Sequence, residues 1–226
     1  MRIFSKTKSC IAVLSLGVVL FAPTAMAFGL GDLTGSKPAA GATAGDPDAF
    51  IKSAQEADAL MNNSVGSLFK ALTSKNDQAQ VEEQQKAANA ATDPKAKAVL
   101  VEKIQESQLA GIAAANANKS FDSDIGKLDA TKKANLGASA FNFMLALLKD
   151  KDLIGQAQGL ISSLSSNPMN IGKLGAIKDA SGNLSSQMTA ASNVAGMMPK
   201  IFKAVKVEAP TKADEKPKTF AATTTE

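Results

Sequence analysis

Between Phe50 and Leu72 apolar residues return every three or four positions: Phe50, Ala54, Ala57, Met61, Val65, Leu68 and Leu72. That spacing lines one face of an α-helix, and Asp46-Pro47-Asp48 ahead of it reads as an acidic N-cap with proline in the first turn. The helix is predicted to end near Thr73-Ser74. Asn76 to Ala91 holds strong helix formers, mainly Gln and Ala, with almost no apolar face, so a helix there should be exposed or marginal. Asp93-Pro94 restarts the pattern, and Val101, Ile104, Gln108, Ile112 and Ala115 mark a third helix. Asn116 to Leu128 keeps no clear period and reads as a turn region, with Asp129 or Thr131 capping the next helix.

The second half differs in kind. Ala134 to Leu148 carries no charge and includes Leu136, Phe141, Phe143, Met144, Leu145, Leu147 and Leu148. A charged knot, Lys149-Asp150-Lys151-Asp152, is expected to interrupt it. Leu153 to Gly172 is again free of charge, broken at Asn167-Pro168, and Ser181 to Met198 is free of charge a third time. Leu174, Ile177, Ser181, Leu184, Met188, Ala191, Ala195, Met198, Phe202 and Val205 step 3-4-3-4, a coiled-coil-like seam. Gly175, Gly182 and Gly196 share a heptad position on the opposite face, each costing the helix about 1 kcal/mol relative to Ala. This pattern allows either a helix packed on both sides or a loosely formed one kinked at Pro199.

Sustained two-residue alternation is missing, so strands are not expected. The fold class is therefore all-α, a bundle of five or six helices over residues 46–207. A flexible Gly/Ala-rich linker, 28–45, precedes it and a disordered Pro/Lys/Glu/Thr tail, 208–226, comes after it. The expected core draws on Phe50, Leu60, Met61, Leu68, Leu72, Leu100, Ile104, Ile112, Phe141, Met144, Leu145 and Leu148. Leu160, Ile161, Leu164, Leu174, Ile177, Leu184 and Met198 complete it.

The first 27 residues change the picture of charge and place. Arg2, Lys6 and Lys8 precede an apolar run from Ile11 to Ala22, which leads into Pro23-Thr24 and Ala25-Met26-Ala27. That order matches a secretory signal cleaved after Ala27, and the run is well short of the ~20 residues a spanning helix needs. The expected location is thus exported, either periplasmic or at the cell surface and beyond. The signal holds three of the 25 basic residues and none of the 21 acids, so the mature chain carries only +1. Its cations are all Lys, and it has no His, Cys, Trp, Tyr or Arg. Without Arg forks or large stacking rings a nucleic-acid partner is not expected, and without Cys there are no disulfides.

Candidate chemistry is correspondingly thin. Asp122, Asp124 and Asp129 resemble the start of a calcium loop, but Gly126, Lys127 and Lys133 stand where such a loop needs an oxygen ligand, a Gly and a Glu. Helix capping accounts for those acids better. Gly29, Gly31 and Gly35 have the wrong spacing for a phosphate loop. Serines are abundant, yet without His only a Ser–Lys or carboxylate site could serve a hydrolase, and the charge-free segments hold no Lys. No catalytic residue, cofactor or metal ligand is assigned. Gly155-x-x-x-Gly159 permits close helix approach, and Gln156 and Gln158 between the glycines favour an aqueous setting over a lipid one.

The expected function is a non-catalytic exported helical protein. Its partner is another envelope protein or itself, met through the charge-poor C-terminal half, because three charge-free runs leave little to oppose association. Phe141, Leu145, Leu148, Gly155, Gly159, Leu184, Met188 and Met198 are the candidate interaction residues. The rival is a lipid- or membrane-active helical protein, either an amphipathic lipid binder or an α-helical pore-former, with Ala134 to Leu148 as the inserting element and a lipid or membrane surface as partner. Against it, that run is about 22 Å long as a helix, short of a ~30 Å hydrocarbon core.

Overall fold

The computed structural model describes residues 46–221 except 119 and 167–170. The expected signal and linker lie outside the described residues. Among these the fold is all-helical, with seven helices and no strand. They are α1 (Pro47–Leu72), α2 (Lys75–Ala90), α3 (Pro94–Ala117), α4 (Phe121–Lys127), α5 (Ala130–Ser165), α6 (Ile171–Ala195) and α7 (Met198–Val205).

Local chemistry explains most boundaries. The Asp46 carboxylate accepts from the amides of Asp48 and Ala49, so α1 begins where its acidic cap was expected. Ser74 and Asp77 form a reciprocal capping box, which starts α2 without help from an apolar face. The helix then buries only Val81 and Ala88, two turns apart, against α3. Asp129, not Thr131, caps α5 by accepting from the Lys132 amide at 2.7 Å.

Three boundaries differ from expectation, each for a local reason. The region 116–128 is not only a turn: α4 forms because Phe121 and Ile125, one turn apart, both reach the core. The charged knot does not interrupt α5, which runs for 36 residues, about 54 Å. Lys and Asp do not break a helix, and a turn placing only Asp150 inward keeps the period. The last long helix is two helices, not one kinked at Pro199. The chain tightens at Gly196 and Met197, and Pro199 sits in the first turn of α7, where its missing N–H costs nothing.

Helices α1, α5 and α6 make the frame. Phe50, Ala54 and Ala57 cluster with Leu153, Ala157, Leu160 and Leu164 of α5 and with Ile177 and Leu184 of α6. The other ends of these helices, at Met61 to Phe69, Leu136 to Ala146 and Ala191 to Val194, join a larger cluster with α3, α4 and α7. So α1 and α6 both run antiparallel to α5. The seam read from Leu174 to Val205 does face inward, buried or half-buried throughout. Its glycine face does not: Gly175 and Gly182 have open space where a Cβ would stand, so α6 is packed on one side.

Between the two clusters lies a polar layer. Asp58 of α1, Asp150 of α5 and Gln187 of α6 fall at the level where apolar contacts stop on each helix. Asp150 is 0% exposed.

Candidate functional site

The N-terminal half of α5 is buried nearly all round, from Leu136 through Phe143 without a break. An amphipathic stripe would not require this; something must cover the face turned away from α1. The cover is residues 206–221, including most of the tail expected to be disordered, laid back along α5; the tail's last five positions, 222–226, lie outside the described residues.

A few residues set its path. Lys206 adopts a left-handed conformation, φ 57°, and reverses the chain, while the Val207 amide donates to the Phe202 carbonyl at 3.1 Å. Val205 and Val207 then straddle Gly137 of α5. A Cβ on Gly137 would stand 2.8 Å from Val207 Cγ2 and 3.2 Å from Val205 Cγ2, so only Gly allows this approach. Pro210 is buried. Around it the amides of Thr211 and Lys212 donate to the Glu215 carboxylate, and these bonds hold that carboxyl below its usual range.

Beyond Pro217 the chain is extended, and two asparagines of α5 grip it. Asn142 Nδ2 donates to the Lys218 carbonyl at 2.8 Å, and Asn142 Oδ1 accepts from the Lys218 amide at 2.7 Å. Asn135 does the same to Ala221, at 3.1 and 2.7 Å. A primary amide offers one donor and one acceptor side by side, the same pair an adjacent β-strand presents. The spacing is matched. Seven residues of helix rise about 10.5 Å, and three residues of extended chain span about 10 Å. Each asparagine therefore meets one residue of the strap in register.

All four bonds go to main-chain atoms, so this clasp reads an extended backbone and not a side-chain sequence. Asn142 is only 3% exposed and has no other described partner, which makes holding a backbone its role in the fold. One side-chain contact adds to it: Lys218 Nζ lies 4.4 Å from the centre of the Phe141 ring, a cation–π approach. Most strap residues stay exposed, including Phe220 at 38%, so little apolar burial holds it down.

The candidate interaction residues fall elsewhere. Phe141, Leu145 and Met198 are buried in the larger cluster and Leu184 in the smaller one, so these four build the core and are not a free surface. Leu148 and Met188 are half-buried. Gly155 and Gly159 are exposed with open space above them, on the outer face of α5. The eight are not brought together. What sequence reading missed was Asn135 and Asn142, two amides seven residues apart inside a charge-free run whose only other polar side chain is Ser139. That spacing was the available signal. The acids set aside as caps behave so: Asp124 takes the Ser120 hydroxyl and the Lys127 ammonium, which lower its pKa, and Asp129 caps α5. Among the described residues the buried serines, Ser64 and Ser139, donate to carbonyls of their own helices.

Among the described residues no helix is long and apolar enough to cross a membrane. No family model, curated protein or solved structure matches this chain.

Proposed function

We propose that this is a non-catalytic exported helical protein that works by associating with another envelope protein or with a second copy of itself, through its C-terminal half. The observation that carries the reading is the asparagine clasp on α5. It holds an extended backbone by four hydrogen bonds that do not depend on the bound sequence, and its resident strap is mostly exposed. Hydrogen bonds to a strap of this kind are worth about 1 kcal/mol each, so a competing extended segment can displace it. The rest of the surface supports the same mode. Among the described residues Val101 and Phe220 are the large apolar side chains left exposed, so no broad apolar patch competes with backbone pairing as the means of contact.

A chain ending at Lys216 removes the gripped residues and leaves every helix. Binding of a labelled peptide spanning Pro217 to Glu226, measured by fluorescence polarisation, should saturate and should be abolished by Asn142→Ala. Absence of binding with the helices intact by circular dichroism would sink the reading. Light scattering on the full chain then tells self from partner: a concentration-dependent dimer assigns the second copy. Flotation of the full chain with liposomes would instead favour a lipid surface and count against the proposal.

A further inference from the structure

The polar layer between the two clusters is not used by the clasp and is expensive as it stands. Asp150 is fully buried, and neither carboxylate oxygen has a hydrogen-bond partner. Gln187 is 8% exposed; its Nε2 donates to Asp58 Oδ1 at 2.8 Å, while its Oε1 is buried without a partner. Asp58 stands at the rim, exposed, and the same Oδ1 also accepts from Asn62 Nδ2 at 3.1 Å. The three residues come from three helices and stand at one level of the bundle, Gln187 bonded to Asp58 and Asp150 under the charge of Asp58.

The unmet demand at this level is all of one kind. Three buried oxygens lack a donor: both of Asp150 and the carbonyl of Gln187. The charge acting on Asp150 is that of Asp58, which is of like sign, and no described lysine forms an ion pair with either carboxylate. Burial and the neighbouring Asp58 push the Asp150 carboxyl up to about 7. One proton on Asp150 serves at most two of the three orphan oxygens, the one that carries it and one acceptor, and leaves the third without a partner. A cation would serve all three at once, and a divalent one would balance both carboxylates.

We propose that Asp58, Asp150 and Gln187 form a binding site for a hard divalent cation of the calcium class, clamping α1, α5 and α6 together. The donor set is oxygen only, two carboxylates and an amide carbonyl, which suits calcium and not zinc. Among the described residues no group of three or more His, Cys, Asp or Glu is placed to hold a metal ion, so the proposed set takes the Gln187 amide carbonyl as its third ligand. The exposed edge of Asp58 gives an entry path and leaves room for water, which calcium's irregular shell of six to eight oxygens accepts more readily than magnesium's rigid octahedron. With so few charged ligands the affinity should be modest, with a dissociation constant of roughly 0.1–1 mM.

Calorimetric titration of calcium chloride into the chelator-treated full chain at pH 8, with thermal melting in parallel, tests this. The expected result is one calcium per chain and a melting midpoint raised by several degrees in about 10 mM calcium. That response should be lost in Asp150→Asn and weakened at least tenfold in Asp58→Asn, and unchanged in Glu82→Gln, a remote exposed acid. Circular dichroism confirms that each variant keeps its helices. The site is refuted if the wild-type chain binds no calcium at about 10 mM, or if Asp150→Asn binds it as well as wild type. A tighter response to magnesium would overturn the calcium assignment.

Discussion

The two halves of α5 read alike in charge and fold into opposite surroundings. Residues 136–146 are enclosed by α1, α7 and the strap, while 153–165 bury one stripe, Leu153, Ala157, Leu160 and Leu164. Phenylalanines and leucines on every side of the first half demand a cover on every side. Gln156, Gln158, Ser162 and Ser163 on the outer face of the second half demand none. Lack of charge is therefore not one signal. In the first half it marks enclosure, in the second a polar but neutral surface.

The largest expected break in this comparison is Phe143→Ala, which empties a fully buried site and should cost about 3–5 kcal/mol in urea denaturation, against about 2 kcal/mol for Leu160→Ala. Equal losses would mean that the halves are packed alike.

The layer dividing the halves predicts the next effect. In chelator, the folded state holds a proton on Asp150 up to about pH 7, whereas the unfolded chain releases it near 3.8. Between those values Asp150 holds its proton only in the native state, so its own contribution to stability falls as pH rises, by at most about 4 kcal/mol, and levels off above pH 7. Denaturation midpoints across pH 4–8 check this, and Asp150→Asn should flatten the slope.

One substitution made in both halves should change sign. Gly137→Ala collides with Val207 and Val205 and should cost about 1–3 kcal/mol, with the strap released. Gly155→Ala meets nothing within 4 Å and should stabilise α5 by up to about 1 kcal/mol. Loss of stability in both would place Gly155 under a contact that the single chain does not supply, which is itself a test of association.

The smallest effect isolates the clasp. Asn142→Ala should cost about 1–2 kcal/mol and expose the Lys218 amide to hydrogen exchange, while Asn183→Ala on the open face of α6 should change stability by less than about 0.5 kcal/mol. Continued protection of the Lys218 amide in Asn142→Ala would remove the clasp from the account.

The sequence by itself determined the helical class, the cap at Asp46, the inward seam from Leu174 to Val205 and most of the core. These are local or periodic properties, decided by neighbours three and four residues away. It also showed that α2 has little to bury. What only the tertiary structure decided involves residues far apart. Asn142 meets Lys218, Asp150 comes under the charge of Asp58, to which Gln187 hydrogen-bonds, and Phe121 and Ile125 find a core that turns a loop into α4. The tail's Pro, Lys and Thr content gives no reason for order, because the order of residues 206–221 comes mainly from main-chain bonds to a surface on α5, with a few side chains such as Val207 and Pro210 packed beside them. Likewise Phe141 looks like part of a free apolar face until Lys218 of the strap lies over its ring, and Leu145 until the helices close on it. Periodicity reports which way a residue faces; only packing decides what stands opposite.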